Sequence, residues 1–214
     1  MDERDYIIFK DRKEAGQLLS KKLSKYKKKR NVIVLGIPRG GVVVAREISD
    51  KLKIPLDVVV TKKIGAPHQE ELAIGAVGPE GALILDTKLI NELGVSKDYI
   101  KYKAREKTDE VVERLLKFRK NESLRLVGKT VVLVDDGIAT GASVEVAIKF
   151  LKTKNVKKIV LSVPVAPKEA VSKFKKIVDE LVVLESPLLF QAVGQFYINF
   201  PQITDEEVIE MLNK

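Results

Sequence analysis

The chain has 214 residues, 45% of them hydrophobic and 32% charged, with a formal net charge of +9, which predicts one domain with a substantial core. It contains no cysteine, which excludes disulfides and thiolate metal sites, and no apolar run approaches the ~18 residues of a membrane span. The charged amino-terminal segment has no signal-peptide core, so we expect a soluble, cytoplasmic protein without membrane contact.

Strand-like and helix-like patterns alternate along most of the chain. Strands are predicted, in chain order, at 31–36, 56–61, 72–77, 82–86, 131–135, 159–165 and 181–186. Helices are predicted at 11–29, 42–52, 96–122 and 142–153, from Lys168 onward, and after a capping box formed by Thr204 and Glu207.

Residues 62–71 are predicted to form a loop, and a hairpin turn is expected near Gly78. The alternation of strands and helices predicts an α/β fold with a mostly parallel sheet flanked by helices. We expect a single domain spanning 1–214, with 86–128 and 186–214 as hood elements over the sheet.

Two aspartates stand side by side where a predicted strand ends, in the segment VVLVDDGIATGAS. In open α/β sheets, ligands bind beyond the carboxyl ends of the strands. There, Asp135 and Asp136 can accept hydrogen bonds from vicinal hydroxyls or hold a hard cation. The next residues are mostly small or carry hydroxyls, and they enter a helix whose first N–H groups can bind an anion: Gly137, Ile138, Ala139, Thr140, Gly141 and Ser143. The segment predicts a site for a ribose 5-phosphate; the simpler interpretation is an acidic turn before a capped helix.

A second glycine-rich turn, GIPRGG (36–41), follows an earlier predicted strand. Its glycines have the spacing of a P-loop, but Val42 and Val43 stand where that motif needs lysine and serine or threonine. The segment also lacks the G-x-G-x-x-G pattern of dinucleotide-binding proteins. These positions argue against a nucleoside triphosphatase and against a dinucleotide-dependent enzyme.

Together these motifs resemble the two phosphate-binding turns of type I phosphoribosyltransferases. The resemblance covers nearly the whole chain and extends to a group of predicted bacterial and archaeal phosphoribosyltransferases of unassigned substrate. It implies that Asp135 and Asp136 hold the ribose hydroxyls and Mg²⁺, and that 137–143 bind the 5-phosphate of phosphoribosyl pyrophosphate (PRPP). It assigns the pyrophosphate to the second turn, with a cis peptide bond between Pro38 and Arg39. The residues implied there are Pro38, Arg39, Gly40 and Gly41.

The same resemblance implies a mobile loop after the second predicted strand. In that loop, Lys62 and Lys63 would neutralise the leaving pyrophosphate, and Glu70 or Glu71 would act on a proton or on magnesium. The alternative is that these side chains are ordinary solvated loop charges.

The implied reaction transfers ribose 5-phosphate from PRPP to a nitrogenous acceptor, expected to be a nucleobase, with Mg²⁺ as cofactor and pyrophosphate as product. Relatives that use 6-oxopurines carry an aspartate where this chain has Ala139, which argues against hypoxanthine and guanine. Phe196 and Tyr197 are candidates for stacking on the base, although aromatic residues near a carboxyl terminus more often belong to the core.

Two other functions stay open. Some proteins of this fold sense PRPP and bind nucleic acid as regulators, and a catalytically idle binding domain is the third interpretation. The basic stretch KKLSKYKKKR (21–30) could bind nucleic-acid phosphates, but it reads as the solvated end of a helix, where cations suit the macrodipole. We therefore expect no specific nucleic-acid partner, and the resemblance leaves room for a homodimer.

Overall fold

The computed structural model describes residues 7–119 and 125–213. Internal contacts divide these residues into two compact units. The first unit comprises 7–58, 125–140 and 155–213, and the second comprises 59–119 and 141–154. None of the described helices is long and apolar enough to cross a bilayer.

Helices and strands account for most of the described residues. The α-helices are α1 (Arg12–Lys22), α2 (Gly40–Leu52), α3 (Thr87–Glu92), α4 (Lys97–Arg119), α5 (Ala142–Thr153), α6 (Lys168–Phe174) and α7 (Asp205–Asn213). The strands are β1 (Val32–Gly36), β2 (Leu56–Val58), β3 (Lys62–Ala66), β4 (Gln69–Val77), β5 (Leu83–Leu85), β6 (Thr130–Val134), β7 (Lys158–Val165) and β8 (Glu180–Glu185).

The first unit is built on a five-stranded parallel sheet in the order β2-β1-β6-β7-β8. Every residue of β1 and β6 is buried, as expected for continuous apolar strands of a parallel sheet. A core cluster joins Val34 and Val132 of these strands to Leu19 of α1 and Ile48 of α2. The predicted parallel α/β fold is confirmed, and the pairing of β1 with β6 sets their carboxyl ends side by side.

Helix α1 ends earlier than the sequence pattern predicts, at Lys22 rather than near residue 29. Leu23 and Tyr26, three residues apart, are both buried, and a short 3₁₀ turn over Ser24–Tyr26 sets that spacing. Lys28 then adopts a left-handed conformation with φ of 58°, and its N–H donates to the carbonyl of Leu52. Residues 27–30 of the basic stretch therefore lie beyond the helix.

The second unit contains a three-stranded antiparallel sheet in the order β3-β4-β5. The predicted loop at 62–71 is wrong, because these residues contribute to a hairpin between β3 and β4. Ile64 is the one large apolar residue of β3, and the pairing shifts register on both sides of Gly65, so the strand lacks a clear alternating pattern. The hairpin expected near Gly78 is confirmed between β4 and β5.

The remaining helices follow the prediction closely except α3, which the sequence pattern does not predict. Helix α4 matches the long helix expected at 96–122 up to Arg119, and the last predicted residues lie outside the described part of the chain. The capping box before α7 is confirmed, because the N–H of Glu207 donates to Thr204 Oγ1 at 3.2 Å and the N–H of Thr204 donates to Glu207 Oε2 at 2.7 Å.

Candidate active site

The turn after β1 connects this strand directly to α2. The N–H of Ile37 donates to the carbonyl of Val134 at 2.8 Å, which continues the pairing of β1 with β6 beyond the strand end. The peptide bond between Pro38 and Arg39 is cis, which confirms the expectation drawn from the resemblance. Arg39 is exposed, and its guanidinium lies 3.7 Å from a carboxylate oxygen of Asp205.

The turns after β1 and β6 touch each other, and glycine permits the contact. A Cβ added to Gly40 would overlap the carboxylate of Asp136 and lie 2.7 Å from Arg12 Nε. A Cβ added to Gly41 would lie 2.8 Å from Asp135 Cα. Since real Cβ atoms do not approach other atoms this closely, the two glycines are needed for the observed packing. The predicted pyrophosphate turn and the predicted ribose turn thus form one continuous surface.

Asp136 is held by an ion pair that the sequence did not indicate. Arg12 Nε donates to Asp136 Oδ2 at 2.7 Å, and the side chains are only 8% and 16% exposed. Burial raises the pKa of the Asp136 carboxyl, while the positive charge of Arg12 acts in the opposite direction. The Asp136 carboxylate is therefore directed at a protein cation in this structure.

Asp135 differs from its neighbour in its surroundings. Its Oδ1 accepts the backbone N–H of Asp136 at 2.9 Å, and the residue is half-buried. The two acids are equivalent in the sequence, whereas the structure gives Asp136 an arginine partner and Asp135 a backbone donor.

The carboxyl-terminal segment completes the surroundings of Asp136. The hydroxyl of Tyr197 donates to the backbone carbonyl of Asp136 at 2.6 Å, and burial, together with the nearby Asp136 charge, raises the pKa of Tyr197. The guanidinium of Arg12 lies 3.7 Å from the ring centroid of Phe200, and Arg12 also donates to the carbonyl of Pro201 at 2.7 Å. Residues 197–201 thus fix both members of the ion pair.

The two base-stacking candidates lie in the core of the first unit. Phe196 is fully buried and stacks on Phe190, with ring centroids 5.4 Å apart. Tyr197 is 6% exposed and packs against Phe9 and Phe200. Neither ring offers an open face to a base in this structure, so the core interpretation of these residues agrees with their positions.

The other predicted site residues belong to the second unit or to the segment that enters it. Lys62, in β3, forms an ion pair of 2.6 Å with Glu110 of α4, whereas Lys63 and Glu71 are exposed. Desolvation raises the pKa of Glu110, but hydrogen bonds from Lys107 and Lys62 outweigh it together with the charges of these lysines, so the pKa is lowered overall. Lys62 therefore already has an anionic partner.

The segment after the aspartates runs through residues 137–143 into α5. Gly137 and Ile138 are buried, whereas Ala139 and Thr140 are exposed. Gly141 is the N-cap residue of the helix and adopts a left-handed conformation with φ of 79°. Ser143, in the first turn of the helix, is half-buried.

Among the described residues, no group of three or more His, Cys, Asp or Glu side chains could hold a metal ion. Asp135 and Asp136 are the two acids predicted to hold Mg²⁺ beside the ribose. Magnesium is commonly bound by one or two carboxylates together with substrate phosphates and water. The arrangement therefore fits a magnesium ion that arrives with a phosphorylated substrate, and it does not form a protein cage.

Comparison with known proteins agrees with this fold. The phosphoribosyl transferase domain family matches residues 9–198. Proteins of two Mycobacterium tuberculosis strains, provisionally named phosphoribosyl transferases, are 40% identical over 208 residues, which are 97% of this chain and 47% of theirs. The crystal structure of TT1426 from Thermus thermophilus is 40% identical, with a TM-score of 0.79 over 96% of this chain and 98% of that chain. The chain belongs to the phosphoribosyl transferase family, and it spans about half the length of the curated relatives it matches.

Proposed function

We propose that this protein transfers the ribose 5-phosphate of PRPP to a nitrogenous acceptor, with Mg²⁺, and releases pyrophosphate. The observation that carries the proposal is the contact between the turns after β1 and β6, in which Gly40 and Gly41 pack against the two aspartates. A substrate with a ribose and a pyrophosphate group needs a diol acceptor and an anion-binding turn next to each other. The proposal is supported by two aspartates and a glycine-rich turn that lie at the carboxyl ends of adjacent parallel strands, where α/β proteins bind ligands.

In this proposal the two aspartates have different tasks. Asp135 accepts hydrogen bonds from the ribose hydroxyls, and 137–143 bind the 5-phosphate through backbone N–H groups and hydroxyls. Asp136, paired with Arg12, positions the ribose turn against the pyrophosphate turn. This assignment refines the expectation that both carboxylates contact the ribose and the metal, and its support is the 2.7 Å ion pair of Asp136.

Arg39 binds the pyrophosphate group, together with backbone N–H groups at the start of α2. Its distance of 3.7 Å from Asp205 and its exposure allow this guanidinium to exchange a protein carboxylate for a phosphate oxygen. Arginine suits the task because its planar fork of donors matches phosphate geometry.

Asp135 is the carboxylate that would hold Mg²⁺ with oxygens of the substrate. When bound, the ion neutralises part of the negative charge on the pyrophosphate. The backbone N–H groups at the start of α2 would be fixed donors for the same charge, and fixed donors stabilise a transition state because they need no reorganisation during the reaction.

The chemical step forms a bond between the acceptor nitrogen and the anomeric carbon, and it breaks the bond from that carbon to the pyrophosphate oxygen. The electron pair of the broken bond leaves with pyrophosphate, and the acceptor nitrogen loses its proton. Lys62, Lys63 and Glu71 stay predicted contributors to the neutralisation of pyrophosphate and to the proton transfer.

A screen of nucleobases with PRPP and Mg²⁺, measured as pyrophosphate release, tests the proposal. We expect release with at least one acceptor and loss of release in Asp135→Asn. We expect no useful turnover of hypoxanthine or guanine, because Ala139 stands where relatives that use 6-oxopurines carry an acid. Binding of PRPP without release for any acceptor would contradict catalysis and favour an idle binding domain. Robust synthesis of guanosine monophosphate would contradict the interpretation of Ala139.

A further inference from the structure

Five segments that lead into the parallel strands carry the net positive charge of the protein. Each segment belongs to the first unit and ends at the first residue of its strand. Three of the segments begin directly after the preceding helix, and the other two begin where the described chain re-enters the first unit. These segments are 23–32, 53–56, 125–130, 155–158 and 175–180. They contain twelve lysines and arginines and two acids, a net charge of +10. The rest of the chain has 27 basic and 28 acidic residues, a net charge of −1.

The parallel sheet places these segments along one edge, which we call the amino edge. All five strands run in the same direction, so their first residues lie together. Backbone hydrogen bonds join neighbouring segments: the N–H of Thr130 donates to Asn31 O at 2.9 Å, and the N–H of Lys157 donates to Lys129 O at 2.8 Å. The proposed PRPP turns lie at the opposite edge, so binding of PRPP does not account for this charge.

Most cations of the amino edge have no acidic partner among the residues that the structure describes. Lys25 and Lys158 both pair with Glu180, and Asp179 accepts the backbone N–H of Ile159 at 2.7 Å. Within the described ranges 7–119 and 125–213, no acid lies at ion-pair distance from the other ten. These ten are Lys27, Lys28, Lys29, Arg30, Lys53, Arg125, Lys129, Lys157, Lys175 and Lys176.

The helix macrodipole does not explain the densest part of this edge. Favourable interaction with the dipole is limited to the last turn of a helix, and α1 ends at Lys22, so residues 27–30 lie beyond it. Lys28 and Lys53 adopt left-handed conformations, with φ of 58° and 55°, where glycine or asparagine is usual. Two positions that favour small turn residues therefore carry cations instead.

We propose that the amino edge binds the phosphate backbone of duplex nucleic acid without sequence preference. The edge spans four strand spacings, or ~19 Å, and duplex DNA carries one charge per ~1.7 Å of its axis. A duplex laid along the edge carries roughly eleven phosphates over this length, counting both strands, so the ten cations outnumber the phosphates that face the edge. The inference does not depend on the proposed transferase activity.

The composition of the edge favours a duplex over other polyanions. Single strands are held by stacking on exposed aromatic rings, and Tyr26, the one aromatic residue in these segments, is 8% exposed. Attachment to an anionic membrane is strengthened by inserted apolar side chains, and Val127 is the one large hydrophobic residue of the five segments that is exposed. The surface therefore offers charge without groups that recognise bases or enter lipid.

Fluorescence anisotropy of the full chain with a labelled duplex of about 24 base pairs, over a series of salt concentrations, tests the proposal. The test variant replaces Lys27, Lys29, Lys157 and Lys176 with glutamine. The matched control replaces four exposed lysines of α3 and α4, Lys88, Lys97, Lys101 and Lys117, so both variants lose the same charge. We expect the test variant to bind roughly tenfold or more weakly at about 0.1 M salt, with a salt slope lower by ~2–4, and the control to bind like the wild type.

Other outcomes would overturn the inference. Equal losses of affinity in the two variants would show that binding depends on net charge alone and not on the amino edge. A clear preference between duplexes of unrelated sequence would contradict binding to the phosphate backbone. Binding to phosphatidylserine vesicles without binding to the duplex would assign the edge to a membrane. The thermal shift with PRPP and Mg²⁺ should be unchanged in the test variant, so failure of nucleic-acid binding and failure of the transferase proposal are separately visible.

Discussion

At the carboxyl edge of the parallel sheet, the buried Arg12 forms an ion pair with Asp136, whereas ten cations of the amino edge have no acid at ion-pair distance in the described ranges. Both edges belong to the same sheet and are formed by the same kind of strand–helix connection. The difference lies in burial. A charge that is removed from water needs a partner because its desolvation is costly, whereas a solvated lysine needs none. The buried charge of Arg12 at the carboxyl edge therefore positions groups, and the solvated charge of the amino edge is available to a partner.

The largest expected effect comes from removing the buried cation of the carboxyl edge. Arg12→Ala leaves the Asp136 carboxylate buried without its partner, and breaking a buried pair in this way typically costs about 3–5 kcal/mol. Urea unfolding at neutral pH measures this loss. Arg125→Ala, an exposed arginine of the amino edge, is the control and should change the free energy of unfolding by less than about 0.5 kcal/mol. Similar effects of the two substitutions would refute the contrast between the edges.

The two aspartates should separate in a ligand-binding experiment. A ligand at 100 times its dissociation constant adds ~2.7 kcal/mol, so PRPP with Mg²⁺ should raise the melting temperature of the wild type by roughly 5–11 °C. Asp135→Asn should lose most of this shift, because the amide adds a donor where acceptors are needed. Asp136→Asn should mainly lower the stability of the free protein, because it leaves Arg12 buried without a charged partner.

The double variant Asp135→Asn with Asp136→Asn should lose the shift with PRPP and still bind inorganic phosphate weakly at 137–143. A wild-type protein without any ligand-dependent shift would show that the acids form a structural turn. If Asp136→Asn alone abolished the shift without loss of stability, the assignment of Asp136 as a positioning residue would be wrong.

Arg39 should act on one part of the substrate only. Hydrogen bonds to charged groups contribute about 1.5–3 kcal/mol, so Arg39→Ala should weaken pyrophosphate binding by roughly 10–150-fold. Ribose 5-phosphate should bind almost as well as it does to the wild type, and isothermal titration with the two ligands separately measures the difference. Equal losses for both ligands would show that the turn at 38–41 does not bind the pyrophosphate.

The smallest effect concerns the one tight charge network of the amino edge. Although desolvation opposes them, hydrogen bonds from Lys158, Lys25 and Tyr26 lower the pKa of Glu180 from 4.5 to about 2. A carboxyl with a depressed folded-state pKa stabilises the protein above its unfolded pKa, and this contribution is lost as pH falls from about 4.5 towards 2. After allowance for solvent screening we expect a loss of about 1–2 kcal/mol.

Urea unfolding at a series of pH values checks this effect. At neutral pH the wild type should be more stable than Glu180→Gln, and this difference should disappear as pH falls from about 4.5 towards 2. The variant Glu169→Gln, at an exposed position, should differ little from the wild type at any pH. A Glu180→Gln variant as stable as the wild type at neutral pH would mean that the network contributes nothing measurable.

The features that the sequence predicts correctly are those set by residues close together in the chain. The buried strands β1 and β6, the capping box of Thr204 and Glu207, and the glycine-rich turns depend on neighbouring residues, so their spacing is visible in the chain. The ion pair of Arg12 with Asp136 joins residues 124 positions apart, so no local pattern predicts it. The one available signal is that Arg12 shares the apolar face of its helix with Ala15 and Leu19.

The errors have similar physical causes. The hairpin at β3 and β4 was predicted as a loop because small and charged residues obscure its alternation, and its pairing shifts register at Gly65. The basic stretch was assigned to a helix because lysine has good helix propensity, whereas burial of Leu23 and Tyr26 decides the local conformation. In both cases tertiary packing overrides a local preference.

The contact between Arg12 and the carbonyl of Pro201 has a consequence for the order of folding. These residues are 189 positions apart, so the surroundings of Asp136 cannot be complete during synthesis until residue 201 has left the ribosome. Contacts between distant residues form slowly because a long loop must close first. Nascent chains with only the strands and the glycine-rich turns exposed would therefore have an unfinished ribose turn, and the capacity to bind PRPP should be acquired after the parallel sheet has formed.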